Sequence, residues 1–360
     1  MNQREQRKQG EMKITAGLGS IDEYVRFIEA GADECFCGYV PYSWSAKYGA
    51  KMPLNRREVL CCNVQIGSYS ELEILAGMVR RYRKPVHLTF NSLFYLPEQY
   101  PEIAKIICSC MELGFHSFIL ADPALIVYLR AQGIDCEIHL SGEIGEINTG
   151  SIRALSRLGL TRVIFHRKNT FADMRAVTGT IPIEIAVPTE FEAFVLNENC
   201  QFTGAFCNSL HGDEIGHLCR VPYWLAPVEA VEDRKDSKST SSQSERGRQE
   251  WEQMRQSGRI DEDGELTGGS NTEKSYDEDG YLCGESGCGL CALWKLQDAG
   301  ITHLKLVGRG NYVDFMERDI RNLSWAREIL ANSTSEIEFQ KNVKREIFPY
   351  GCGGNCYYRA

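Results

Sequence analysis

Fifteen cysteines stand among 360 residues, and eight of them lie beyond residue 199 at spacings suited to ligation. Cys200, Cys207 and Cys219 form a first group, separated by six and eleven residues. Cys283 follows in "YLCGE", Cys288 and Cys291 are separated by two residues, and the closing "GCGGNC" supplies Cys352 and Cys356. Short Cys spacings in a chain with no export signal point to metal or iron–sulfur ligands, not disulfides, and an odd count fits complete pairing poorly. A cluster needs soft sulfur ligands, usually four, and the first group follows directly on a predicted strand end. Cys288 and Cys291 with Cys352 and Cys356 have the two-plus-two pattern of a four-sulfur tetrahedral site. Zinc there ties the C-terminal tail to the barrel, and a second iron–sulfur cluster adds an electron-transfer station. Spacing does not choose between them. Cys35, Cys37, Cys61, Cys62, Cys108, Cys110 and Cys136 fall mostly in predicted strands or helices and are expected to pack.

Other candidates sit at predicted strand ends. His139, Ser141 and Glu143 in "IHLSGE" alternate, so their side chains face one way. Asn91, and His166 with Arg167, end two other strands. Polar groups at the C-terminal ends of barrel strands are the default site, which makes His139, Arg167, Asn91 and Glu143 the catalytic candidates. "HGDEIGH" places Glu214 and His217 three apart with His211 near. It is not a zincin helix, because the glutamate does not follow the first histidine, and its loop position suits a surface role. No nucleophile elbow and no Gly-rich phosphate loop is present. "GRGNY" near residue 308 ends a predicted strand in a turn able to hold an anion.

The elements that must position these residues alternate along the chain. "KITAG" precedes "SIDEYVRFIEAG", "PVHLTFN" precedes "QYPEIAKIICSCMELG", and "HSFILA" precedes "DPALIVYLRAQG". "IDCEIHLS", "TRVIFHR" and "ITHLKLVG" are likewise each followed by a helical pattern, while "IPIEIAV" and "EFEAFVLN" form a β region near Cys200. About eight strand-then-helix units call for a parallel sheet covered by helices, and their number favours a (β/α)8 barrel. Residues 1–11 read as a frayed tail, 12–227 with 281–331 as the barrel, and 332–360 as a tail docking through the second Cys site. Residues 228–280 read as a mobile acidic insertion before the last β/α unit. That segment holds fifteen acids and eight bases, so it accounts for −7 of the net charge of −9. The remainder is nearly neutral, which argues against an RNA partner. With no signal-peptide core and no apolar run of membrane length, the expected location is the cytoplasm.

Together these landmarks resemble the peptidase U32 family. "EAGADECFCG", "VHLTFNSL", "ADPALIVYLR" and "IHLSGEIGEIN" are similar to its successive strand and helix-start motifs. "EAFVLNENCQFTGAFC", "HLCRVPYW", "GYLCGE" and "GITHLKLVGRG" are similar to its Cys-bearing blocks and last strand. The resemblance covers about residues 12–330 apart from the insertion. It implies a TIM-like barrel with a 4Fe–4S cluster held by Cys200, Cys207, Cys219 and Cys283, and an oxygen-independent hydroxylase of tRNA, ribosomal RNA or the ubiquinone ring, with prephenate as oxygen donor in some members. Cys288, Cys291, Cys352 and Cys356 are then left for a second site that the family pattern lacks. The chain departs from that pattern at "NENC", Phe206, Glu143 and Val307, where substrate is expected to bind.

The leading expectation is an iron–sulfur redox enzyme hydroxylating a small aromatic or anionic molecule, a modified RNA or a peptide, with His139 and Arg167 positioning it. Two alternatives stand beside it. One is the peptidase of the family name. The other is a non-catalytic, metal-stapled accessory protein whose 228–280 segment meets a protein partner.

Overall fold

The computed structural model describes residues 11–49, 52–55, 64–145, 147–179, 190–197, 277–349 and 351–358. Its strands are β1 (Lys13–Gly17), β2 (Glu34–Gly38), β3 (Val86–Phe90), β4 (Ser117–Leu120), β5 (Glu137–Leu140), β6 (Leu160–Ile164), β7 (Glu190–Leu196) and β8 (His303–Leu306). Each pairs in parallel with the next, and β8 pairs with β1, so the sheet closes in sequence order. The expected (β/α)8 barrel is the fold, and its Cys-containing C-terminal tail is present. The 228–280 segment lies outside the described residues as far as 276, as do residues 1–10 and the "IPIEIAV" run.

The helices are α1 (Glu23–Ala30), α2 (Tyr42–Tyr48), α3 (Tyr69–Tyr82), α4 (Tyr100–Glu112), α5 (Pro123–Ala131), α6 (Thr149–Leu155), α7 (Phe171–Thr178), α8 (Leu293–Asp298), α9 (Val313–Asn332) and α10 (Glu336–Ile347). Local chemistry starts several of them. Ser68 and Glu71 close a capping box on α3, Thr170 and Asp173 another on α7, and Asp122 caps α5 ahead of Pro123. The strand-then-helix reading left residues 39–85 without a helix, yet Leu72, Leu75 and Ala76 form a buried stripe on α3 at helical spacing. Within the expected tail, α10 buries Phe339, Val343 and Ile347 behind a Ser335 cap.

Two apolar clusters result. The larger fills the space between barrel and helices, where outward residues such as Leu88, Phe118, Val163 and Leu304 meet the helix stripes. The smaller lies inside the barrel: Phe36, Ile119, Ile164, Phe194 and Val307 form one layer, and Tyr357 of the tail packs on it. A register shift between Phe194 and Leu196 in the β7–β8 pairing marks an irregularity where β7 leaves the barrel. Irregularities of this kind re-aim side chains next to functional sites.

Candidate functional site

Strands of a parallel barrel are buried on both faces and ordinarily read as continuous apolar runs. Here several inward positions beneath the apolar layer are charged. Arg162 of β6 is 2% exposed and meets three carboxylates. It bonds both oxygens of Glu34, reaches Glu192 at 3.1 Å, and reaches Glu190 at 2.7 Å. Lys305 bonds the other oxygen of Glu192 at 2.7 Å and lies 3.8 Å from the Phe36 ring centre. Burial works to raise the Glu34 carboxyl, but the hydrogen bonds and charges of His87 and Arg162 outweigh it and hold Glu34 well below the usual carboxylate range. Glu192 is lowered in the same way, against complete burial, by Lys305 and Arg162. Desolvation lowers the Lys305 ammonium despite its carboxylate partner.

His139 belongs to this interior set. Its ring lies 4.5 Å from that of His87, and no described residue bonds its Nδ1. Burial, then the charges on His87 and Arg162, push its pKa well below that of an ordinary imidazole, so His139 is neutral. His87 in turn lies 2.5 Å from the Ser117 hydroxyl and 3.2 Å from Glu34. Ser117, His87 and Glu34 thus have the residue types of a hydrolytic triad. They occupy the first or second positions of their strands, at the end of the barrel opposite the usual catalytic rim.

The rim itself carries Glu143, Arg167, Asn91 and Arg309. Gly142 brings the turn after β5 against the end of β6: a Cβ there would stand 2.8 Å from the Phe165 carbonyl oxygen and 2.9 Å from that of Ile164. That close approach sets Glu143 3.4 Å from Arg167, whose guanidinium lies 4.1 Å from the centre of the Phe194 ring. Asn91 immediately follows β3. Arg309 follows β8 and bonds Gln65 at 3.2 Å and Thr89 at 3.4 Å. Two guanidinium groups therefore edge the apolar layer inside the barrel.

The end of β7 is built into a second structure. Leu196 pairs antiparallel with Cys288, the Asn197 N–H donates to the Gly287 carbonyl, and the Gly289 N–H donates to that of Val195. Cys283 is buried just ahead of this segment, in a polar nest. Asn197 Nδ2 and Tyr281 Oη each donate to Asp319 at 2.8 Å, Asn322 donates to Tyr281, and the Cys283 thiol lies beside Asp319, Tyr281 and Asn322. Burial pushes the Cys283 thiol well up and also raises Asp319 toward its neutral form. On the outer side Cys283 lines a cleft of about 300 Å³ with Arg318, Arg321 and Asn322.

The last four predicted ligands are brought near one another. Cys288 pairs in parallel with Cys356: its N–H donates to the Asn355 carbonyl at 2.9 Å, and the Tyr357 N–H donates back to the Cys288 carbonyl at 2.9 Å. Burial raises Cys288 and Cys291, and charge on Cys352 and Cys356 adds to it in both, so the four thiols lie within electrostatic reach. None of the four is in a disulfide, and among the described residues no three His, Cys, Asp or Glu side chains converge on a position for a metal ion. Cys35, Cys37, Cys110 and Cys136 are buried free thiols, Cys108 is half-buried, and Cys61 and Cys62 lie outside the described residues.

Of the predicted site residues, Glu143 and Arg167 come together at the rim with Asn91 on another strand end, and His139 lies deeper. Cys283 stands beside β7, while Cys200, Cys207, Cys219 and the "HGDEIGH" motif lie outside the described residues. The sequence reading missed Glu34, Arg162, Glu192 and Lys305, together with Tyr357 and Tyr358, while Arg309 lies in the "GRGNY" turn it singled out. The alternation of charge with apolar residues in "LTRVI", "EFEAF" and "HLKL" was the available signal for the interior set.

Residues 19–351 match the profile of Peptidase family U32. The tRNA hydroxylation protein P of Escherichia coli K12 is 28% identical over 97 residues, 27% of this chain and 20% of that protein. Its namesake from Haemophilus influenzae Rd is 28% identical over 91 residues, 25% of this chain and 19% of that protein. The chain thus spans about a fifth of the length of these relatives. The solved structure of the U32 peptidase Mk0906 aligns over 52% of this chain and 70% of that one, with TM-score 0.38 and 14% identity. A 2,3-dimethylmalate lyase of the PEP mutase/isocitrate lyase superfamily aligns over 58% and 77%, with TM-score 0.34 and 11% identity.

Proposed function

The chain belongs to Peptidase family U32, and from that premise we propose that it is an iron–sulfur-dependent, oxygen-independent hydroxylase. In this reading its reaction takes place at the C-terminal mouth of the barrel, on a small aromatic or anionic molecule. The observation that carries the proposal is the buried Cys283 thiol, which lies beside Asp319, the acceptor for Asn197 at the end of β7. Cys200, the first of the other expected ligands, follows Asn197 by three residues in the sequence. The names of the two tRNA hydroxylation relatives support hydroxylation as the reaction class.

The described part of the donor set fits a 4Fe–4S cluster. Cys283 is a buried soft ligand, and the Tyr281 hydroxyl and Asn322 amide are polar neighbours of the kind that orient and tune a cluster thiolate. Cys200, Cys207, Cys219 and Cys283 would hold the cluster, and with every iron so ligated it would supply one-electron chemistry when bound. The remaining work falls to the chain's own side chains. Phe36, Ile119, Ile164, Phe194 and Val307 give a planar molecule an apolar support that excludes water. Arg167, oriented over Phe194 and beside Glu143, presents guanidinium N–H groups to a carboxylate, a geometry suited to two parallel bonds. Asn91 offers a further polar contact from β3. His139 is a positioning residue that acts from beneath, as a neutral ring inside the polar set.

Hydrolysis is the second reading, and the Ser117–His87–Glu34 trio is the one observation in its favour. Against it, Ser117 and His87 are buried at the N-terminal end of the barrel, and Glu34 is committed to Arg162. Anaerobic reconstitution with iron and sulfide separates the two readings. The hydroxylase reading expects visible sulfide-to-iron absorption that Cys283→Ala removes. Peptide cleavage that survives loss of iron and disappears in Ser117→Ala would reject it in favour of hydrolysis.

A further inference from the structure

The tail formed by residues 351–358 has no regular helix or strand, yet it inserts an aromatic side chain into the barrel. Tyr357 packs on the apolar layer of Phe36, Ile119, Ile164, Phe194 and Val307, and its hydroxyl donates to the Asn197 carbonyl. The Tyr358 hydroxyl donates to the Phe194 carbonyl at 2.7 Å, and its ring lies 5.2 Å from that of Phe171. Both tyrosines thus grip the irregular end of β7. Ahead of them stands "GCGGNC", whose Gly351 and Gly354 adopt positive φ of 100° and 70°. A glycine-rich stretch loses more conformational freedom on ordering than any other, and this one has no large apolar side chain of its own to offset that loss. A cross-link is the missing element, and the flanking residues supply the groups for one.

Cys288 is built between β7 and the tail, pairing with Leu196 on one side and Cys356 on the other. Cys291 is tied to α10, where Gln340 Nε2 donates to its carbonyl at 3.3 Å. Cys352 and Cys356 bracket the glycines. Two sulfurs therefore come from the rigid body and two from the tail, with the two-plus-two spacing that suits tetrahedral sulfur ligation. We infer that Cys288, Cys291, Cys352 and Cys356 bind a thiophilic divalent ion of the zinc class, and that this ion latches Tyr357 into the mouth of the barrel. Loading draws the four sulfurs together. The side that yields is the tail, where Cys352 and Cys356 are exposed and the glycines between them carry no side chains. The four thiols lose their protons to solvent and the ion takes their electron pairs, so no oxidant or reductant is needed. That Tyr357 thereby governs access to a reacting centre rests on the function proposed above, whereas the latch itself does not.

The test uses the full chain, purified anaerobically, stripped with chelator and titrated with Zn²⁺ alone. Bound zinc is read by competition with a chromogenic chelator, and backbone hydrogen exchange is followed at Cys288 and Tyr357, the two amides that join tail to body. The expected result is one more zinc equivalent in the native chain than in the Cys352→Ser/Cys356→Ser variant. Zinc should slow exchange at both amides at least about ten-fold in the native chain only, the change expected when ligand binding closes a local opening. Tyr357→Ala should keep the zinc equivalent while losing its seat in the barrel. Equal zinc in the native chain and the double variant would overturn the latch, as would zinc-independent exchange at the two amides or a Cys288–Cys356 disulfide in peptide maps of unreduced protein. None of these readouts uses iron or turnover, so failure of the hydroxylase proposal leaves the result intact.

Discussion

Replacing Arg162 by Met probes the charged interior of the barrel directly. The guanidinium is the shared partner of Glu34, Glu190 and Glu192. Removing it affects the three carboxylates unequally. Glu190 has a side chain 37% exposed and can be hydrated, so it contributes little. Glu192 keeps Lys305, while Glu34 keeps His87, the Thr15 hydroxyl and, at 3.7 Å, His303 but no Lys or Arg. One strongly affected buried carboxylate and one partly affected place the loss at about 3–5 kcal/mol near neutral pH, the range for breaking a buried ion pair. That is a large share of the roughly 5–15 kcal/mol that holds a typical domain folded. The sign with pH is distinctive. In the native chain Glu34 and Glu192 are held below their unfolded values, so they stabilise above the unfolded carboxylate pKa, and this contribution is lost as pH falls through the folded one. In the variant, burial dominates and raises Glu34, so the charged form destabilises and the deficit shrinks on acidification from about pH 7 to about pH 5. Urea denaturation of both proteins across that range, followed by circular dichroism, reads the difference. A deficit below about 1 kcal/mol, or one that does not change with pH, would refute the reasoning, because a surface-like pair behaves that way.

Three further outcomes are expected. Ser117→Ala should leave hydroxylation unchanged, measured as product per chain under anaerobic conditions, because its hydroxyl lies at the far end of the barrel from the rim. Gly142→Ala should destabilise the fold by about 1–3 kcal/mol in thermal or urea melts, since the added Cβ meets β6 backbone rather than a movable side chain. It should also weaken binding of a small carboxylate by moving Glu143 away from Arg167. Tyr358→Phe should cost about 1 kcal/mol through loss of its bond to the Phe194 carbonyl, and should raise proteolytic nicking of the tail.

The barrel was legible because each of its eight strands is a short run bounded by turn residues, and β4, β5 and β6 are each followed by a recognisable helix. Helix α3 was passed over because "SELEILAGMVRRY" carries glycine and several charges, though its Ser68–Glu71 box and its Leu72–Leu75–Ala76 stripe are both written in the sequence. Glu143 and Arg167 could be picked out as strand-end residues, but their pairing depends on how closely Gly142 lets one turn approach the next strand, a three-dimensional fact. His139 is next to last in β5, and only closure of the barrel shows that its ring is buried against His87. The interior charges alternate visibly in "EFEAF", yet alternation in a strand ordinarily signals a wet face, and only closure of the sheet turns that face inward. The tyrosines of the tail were overshadowed by the cysteines beside them, because the β7 carbonyls they bond lie about 160 residues earlier in the chain.

The account stands or falls on iron at the end of β7. Mössbauer spectroscopy on anaerobically purified chain, grown on isotopically enriched iron and compared with Cys283→Ser and Cys288→Ser variants, measures it most directly. The predicted result is one 4Fe–4S signature, with about four irons and four sulfides per chain, abolished in Cys283→Ser and retained in Cys288→Ser. A native chain without iron, or a cluster indifferent to Cys283, would contradict it.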